Sequence, residues 1–255
     1  YEQIMKKILQ QISNVIFGKE LTIALRARLN FLKIKLFKGG YFALNDLDKK
    51  LEKYVNYDNG FFVELGANNG IDQSNSLYFE LNRGWLGVLI EPSPNQFIAC
   101  NANRSKENHF FCNACVGFDY EKNYVDITYG NLMTMSHNLA LDLPDKLGHI
   151  EASKKFLAPF EDTFNFGSTA ITLTSLLDES KAPSLIDFIS LDVEGAELEV
   201  LKGINFNKYN FKFMLIEIRN LEPIDRFLNE QGYSLVEKFT HHDYLFKFES
   251  SYEKF

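Results

Sequence analysis

The stretch Phe61 to Glu91, FFVELGANNGIDQSNSLYFELNRGWLGVLIE, decides how the rest of the chain is read. An apolar run, Phe61-Phe62-Val63, ends on the acid Glu64, and a glycine-bearing turn, Gly66-Ala67-Asn68-Asn69-Gly70, follows at once. Leu77, Tyr78 and Leu81 recur at helical spacing, so 74–83 reads as a helix. A second apolar run, Leu86 to Ile90, ends on Glu91. Strand, tight turn, helix and strand with a terminal acid make a βαβ unit. Such units bind adenosyl cofactors at the C-terminal edge of their strands.

Working outward, the later segments complete that unit. Pro92-Ser93-Pro94 forces a turn, Asn95 to Asn103 reads as a helix, and Phe110-Phe111-Cys112 as a third strand. Val125 to Tyr129 extends as β. Residues 130–167 read as an irregular insertion, a lid or substrate loop. Thr172 to Leu177 opens a helix. Ile186 to Asp192 is a fourth strand ending on an acid, Phe211 to Ile218 a fifth, and Ile224 to Leu228 marks a helix ending at Gly232. Tyr233 to Phe239 and Tyr244 to Phe248 are separated only by a short turn and pair antiparallel.

Ahead of the unit, apolar residues from Ile4 to Leu36 fall at three-to-four spacing and predict two amphipathic helices broken near Gly18, with Leu44 to Tyr54 a third. The chain divides into a helical segment, 1–55, and a cofactor domain, 56–255. The first segment reads as a packing arm or a homodimer contact. Residues 1–53 carry 11 Lys/Arg against 5 Asp/Glu, whereas the remainder carries 16 against 29. An acidic body argues against nucleic acid, whose phosphates need a basic surface. The basic arm reads as a solvated helix face, with a membrane surface or an acidic partner as the other reading. No run approaches the roughly 20 apolar residues of a membrane span. Three cysteines suit a reducing cytoplasm. The chain opens on Tyr1 rather than Met, as a piece of a longer protein would.

The residues around the unit suit a sulfonium cofactor, with its amino-acid tail, ribose diol and adenine. Gly66 and Gly70 let backbone approach where a Cβ would clash. Glu91 is placed to accept from both ribose hydroxyls, and Glu64 to face the ammonium. Asn113 and Cys115, just past the third strand, stand where an adenine edge is read. A nicotinamide enzyme is disfavoured: its G-x-G-x-x-G is interrupted by Ala67 and Asn68, and Glu91 lies 25 residues beyond Gly66 rather than about 20. Cys112-x-x-Cys115 lacks a second pair for zinc.

The motifs VELGANNG at 63–70, SNS at 74–76, GWLGVLIEP at 84–92 and SLDVEGAELEVLKG at 190–203 resemble the FkbM family of S-adenosylmethionine-dependent methyltransferases over about residues 60–250. The resemblance implies an α/β, Rossmann-like class I methyltransferase fold. Its sheet would have seven strands, mostly parallel with a final antiparallel strand. It implies methyl transfer from S-adenosylmethionine, with S-adenosylhomocysteine as product, to a hydroxyl of a sugar or natural product. Glu64, Gly66, Asn68, Gly70 and Glu91 carry over as cofactor contacts, joined by Ser74 and Asn75 of the SNS motif. Asp192 and Glu194 carry over as the acidic motif facing the substrate. The expected acceptor is a sugar or nucleotide-linked sugar of surface polysaccharide, such as a heptose. Another natural product, or a non-catalytic adenosyl-binding module, are the alternatives.

A sugar hydroxyl is a poor nucleophile, so a positioned base is useful and typically adds about 10²–10⁴ in rate. Asp192, at a strand end and able also to touch the cofactor, is the first candidate and His137, in the insertion, the second. Glu194 stands beside the first. Asp192, Glu194 and Glu217 also offer hard oxygen ligands to a divalent ion. Carboxylates alone do not separate a metal site from an acid–base site, and no metal is predicted.

Overall fold

The protein is described by a computed structural model over residues 40–139, 143–159 and 161–249. The expected helical pair over 1–38, and with it the homodimer contact, lies outside the described residues. In chain order the strands are β1 (Phe61–Leu65), β2 (Leu86–Ile90), β3 (His109–Phe111), β4 (Ala114–Cys115), β5 (Tyr124–Tyr129) and β6 (Met135–Ser136). They continue with β7 (Phe164–Ile171), β8 (Leu185–Leu191), β9 (Asn210–Glu217), β10 (Tyr233–Lys238) and β11 (Asp243–Phe248). The α-helices are α1 (Leu47–Glu52), α2 (Leu77–Arg83), α3 (Pro94–Asn103), α4 (Lys146–Ser153), α5 (Leu173–Glu179), α6 (Glu197–Leu201) and α7 (Leu221–Glu230).

Seven strands form one sheet in the order β10-β11-β9-β8-β1-β2-β3. The pairs β1–β2, β1–β8, β2–β3 and β8–β9 are parallel, while β11 runs antiparallel to both β9 and β10. This is the mostly parallel sheet with an antiparallel final strand that the resemblance implied. Alternation along β1 sends Val63 and Leu65 to one face and Phe62 and Glu64 to the other. On the first face Val88, Ile189 and Met214 pack under Leu176 of α5, Leu201 of α6 and Leu228 of α7. On the second, Phe62, Leu89 and Phe188 pack with Leu51 of α1, Phe79 of α2 and Trp85. A fully buried side chain of this size contributes about 1.5–3 kcal/mol. A one-residue slip of a strand would exchange its two faces, so the register is fixed on both.

That register levels the strand ends. Leu65 lies opposite Ile90 on one side and Leu191 on the other, and Leu191 lies opposite Ile216. The residues that follow, Gly66, Glu91, Asp192 and Glu217, therefore stand together at one edge of the sheet. The hydrogen bonds from Gly66 N to Ile90 O and from Asp192 N to Leu65 O carry the ladder one step past the strands.

The insertion departs from its reading as irregular. β4, β7, β5 and β6 form a second, four-stranded sheet in that order. β5 and β7 pair antiparallel from Tyr124↔Thr169 to Tyr129↔Phe164. Helix α4 lies within the insertion and is capped by Asp145, whose Oδ1 accepts from Gly148 N at 2.8 Å. Helix α2 begins at Leu77 rather than 74, because the side chains of Ser74 and Ser76 are bonded to Glu64 instead of continuing a turn.

Candidate active site

A cleft of about 970 Å³, counting the solvent at its mouth, opens at the levelled strand ends. Glu64, Gly66, Asn68, Ser74, Asn75, Glu91, Asn113, Cys115 and Asp192 all line it. Across from them the insertion contributes Asn131, Leu132, Thr134 and Ser136. Among the described lining residues are four carboxylates, with Asp72 the fourth, and no Lys, Arg or His.

Glu91 is buried, and its two oxygens accept from Asn68 N at 2.9 Å and Ser93 N at 2.8 Å. Burial raises its pKa, with those two bonds pulling against it. Glu64 sits on the second face beneath the glycine turn. Its carboxylate accepts from Ser74 Oγ at 3.0 Å, Asn75 N at 2.9 Å, Ser76 Oγ, and Arg104 Nη1 at 3.3 Å. Arg104 is the residue sequence reading missed. Its guanidinium is wholly buried and also donates to Glu80 at 2.8 Å, Gly70 O at 3.2 Å and Ser76 Oγ at 2.8 Å. It thereby ties the glycine turn to the SNS segment. Asn75 donates from Nδ2 to Ser190 Oγ at 2.9 Å, while its Oδ1 is buried with no partner.

The two glycines fit against protein. Gly66, at φ +77, brings the turn so close to β8 that a Cβ would lie 2.0 Å from Asp192 O. At Gly70, φ +78, a Cβ would meet Arg104 Cγ at 2.8 Å, and the residue does not line the cleft.

Of the expected catalytic groups, Asp192 alone lies in the cleft. Its side chain is exposed to the cleft's open space although protein surrounds it on the other sides. The exposure decides what an acceptor can reach. Burial on those sides, with the carboxylates of Glu217 and Glu194, raises its pKa well above its ordinary value. Asp192, Glu194 and Glu217 offer oxygens within 4.8 Å of one another, the only such group among the described residues. Arg219 enters that cluster, 2.7 Å from Glu194 Oε2 and 3.6 Å from Glu217 Oε1. The cluster's charge is met in part by this guanidinium, and carboxylates alone carry no metal assignment. Glu194 lies behind Asp192 at φ 55 and also faces His149 Nε2 at 3.5 Å. Burial and the Glu217 charge push its pKa up to about 8 against the pull of Arg219. The upward direction holds because the same guanidinium also serves Glu217. His137 is elsewhere. Its Nε2 lies 2.6 Å from Thr128 Oγ1, and the ring lines a separate shallow pocket with Asp126, Asn165, Phe166 and Gly167.

These shifts set a pH dependence. A carboxyl whose folded pKa is raised holds its proton in the folded chain while the unfolded chain ionises. Glu194 should therefore make stability fall between about pH 4.5 and about 8, by up to about 1.4 kcal/mol per pH unit. Urea titrations over that range should show a shallower decline in Glu194→Gln than in the wild type. His149, whose pKa is lowered by burial and Arg219, acts oppositely below its ordinary value, so the difference between the proteins is the quantity to read. Equal slopes would mean Glu194 is ionised throughout.

With the geometry in place, comparison with known proteins gives a family. The family model described as "Methyltransferase FkbM domain" matches residues 64–235. No curated protein sequence matches the chain. Among solved structures, the ribosomal protein L11 methylase from Lactobacillus delbrueckii subsp. bulgaricus is 10% identical with a TM-score of 0.39, covering 80% of this chain and 78% of that one. The precorrin-6y C5,15-methyltransferase from Geobacter metallireducens GS-15 is 14% identical with a TM-score of 0.36, covering 79% and 85%.

Proposed function

The chain belongs to the FkbM-domain methyltransferases, and from that premise we propose that it transfers a methyl group from S-adenosylmethionine to a sugar hydroxyl. The acceptor in this reading is a nucleotide-linked sugar, such as a heptose, or a sugar of a surface or capsular polysaccharide. The observation that carries the cofactor half is the cleft itself, which presents four carboxylates and no basic side chain among its described lining residues. A cofactor with a sulfonium, an ammonium and one carboxylate is a net cation, so its charge and the cleft's are opposite. The orphaned Oδ1 of Asn75 supplies an acceptor for an ammonium N–H. An unpartnered buried oxygen costs about 1–3 kcal/mol, so a donor placed there is favoured. Glu64 already receives four donors, and its part is to hold the Ser74–Ser76 segment beside the ammonium as much as to face it. Glu91 is assigned to the ribose diol, and Asn113 and Cys115 to the adenine.

When bound, the cofactor supplies an electrophilic methyl carbon. The chain's own contribution is placement of the acceptor oxygen and removal of its proton. Placement alone can supply roughly 7–11 kcal/mol. Asp192 is assigned the proton, being the one carboxylate of its cluster that opens into the cleft.

The reading is tested by incubating the full chain with methyl-labelled cofactor and a panel of nucleotide sugars and glycans, followed by mass analysis. Label on a sugar oxygen is the expected result. Label only on nitrogen or carbon of another acceptor class would overturn the sugar O-methyl assignment. Failure of the protein to bind S-adenosylhomocysteine would overturn the cofactor assignment as well. No helix among the described residues is long and apolar enough to cross a membrane.

A further inference from the structure

Two polar contacts among the described residues tie the insertion to the parallel sheet's site. On the cofactor side, the turn 131–133 that follows β5 places Asn131 at φ 56. Its Oδ1 accepts from Asn68 Nδ2 at 3.2 Å, and its Nδ2 donates to Phe156 O at 3.1 Å. Asn68 is the residue whose backbone N–H is held by Glu91. A chain of hydrogen bonds thus runs from the carboxylate assigned to the ribose, through Asn68, across the cleft to Asn131, and on to the segment after α4. On the acceptor side, His149 of α4 is buried, with Nε2 3.2 Å from Met133 O and 3.5 Å from Glu194 Oε2. A backbone carbonyl can only accept, so Nε2 carries the proton toward Met133 O, with Glu194 Oε2 beside it. The charged groups facing this imidazole are Glu194, Glu217 and Arg219.

We propose that Asn131 and His149 are positioning residues that latch the insertion across the cleft, Asn131 to the cofactor loop and His149 to the acidic motif, so that cofactor binding orders the acceptor side. The proposal rests on the methyltransferase reading above. Cofactor binding at Glu91 fixes Asn68, which then holds Asn131 and the turn that roofs the acceptor. His149 ties the same turn, through Met133, to the carboxylate behind Asp192. A link of this kind is a coupling free energy, reciprocal between the two sites.

Amide hydrogen exchange with and without S-adenosylhomocysteine, together with calorimetry, tests this on the full chain. In the wild type the ligand should slow exchange over 131–136 and over 146–153. Asn131→Gly keeps the positive φ without strain. It should raise the dissociation constant about three- to tenfold, about the worth of one neutral hydrogen bond, and abolish the ligand's effect on 131–136. His149→Leu should leave that constant within about twofold while removing the ligand-dependent slowing over 146–153, and His149→Gln, which retains a donor, should restore it. A purely structural role would change the melting temperature without altering the response to ligand. Binding by the wild type with no slowing in either segment overturns the latch alone. So do variants that keep the wild-type response. Absence of binding by the wild type overturns the latch together with the reading it rests on.

Discussion

Replacing Glu91 by alanine should weaken S-adenosylhomocysteine binding by about two to four orders of magnitude. Two hydroxyls donating to one carboxylate contribute about 1.5–3 kcal/mol each, and 1.4 kcal/mol is tenfold in affinity. The carboxylate is already aimed by Asn68 N and Ser93 N, so little ordering remains to be done on binding. Calorimetry on the purified protein reads the effect directly. Glu91→Gln retains the shape but turns a donor toward one of those N–H groups, so it too should bind at least about tenfold more weakly. Because burial raises the Glu91 pKa, affinity in the wild type should decline as pH falls through it, and the alanine variant should lose that dependence. Wild-type affinity in Glu91→Ala would remove the ribose assignment. A collapse in the melting temperature of the ligand-free variant would instead place the effect in the fold of the 66–70 turn.

The parts of this site that were legible in the sequence are those that one strand reports by itself. Each of β1, β2 and β8 reads as an apolar run stopped by an acid or followed by one, and sheet register then brings Glu91 and Asp192 to one edge without further information. Arg104 was not legible. It lies 40 positions from Glu64, in a helix end with no motif of its own, and only the packing of α3 beneath the glycine turn turns an ordinary surface residue type into a buried cation. The second sheet was hidden for a different reason. In β7, FNFGSTAI, most side chains are half or fully exposed, so the apolar signal is weak. Its partner β5 lies some 40 residues earlier, where local periodicity carries no trace of the pairing. The two histidines show the same limit. His137 and His149 both fall in the insertion, and only His137 is read from sequence as a candidate base. The fold sets the first against Thr128, away from the cleft, and the second against Glu194.

Asp192→Asn should lower kcat by two or more orders of magnitude, within the range of about 10²–10⁴ that a positioned base supplies. Binding of S-adenosylhomocysteine should stay within a few-fold, because the ribose and ammonium contacts assigned above come from β2 and from the 74–75 segment. The substitution is nearly isosteric and removes one of three crowded acids, so the fold has no reason to weaken. The amide that replaces the carboxylate could still align the acceptor but could not take its proton, which separates orientation from base catalysis. The pH profile supplies the second reading. Burial and the neighbouring carboxylates raise the Asp192 pKa above its ordinary value, so its ionisation moves up in pH. Wild-type kcat/KM should therefore rise with pH through that ionisation, and the limb should vanish in the variant. His137→Ala should leave both the rate and the limb in place, since its ring faces Thr128 and a separate pocket. Loss of the limb in His137→Ala with turnover retained in Asp192→Asn would reverse the assignment. Near-normal turnover in both would leave placement of the oxygen as the whole of the protein's contribution, with the hydroxyl proton passing to solvent.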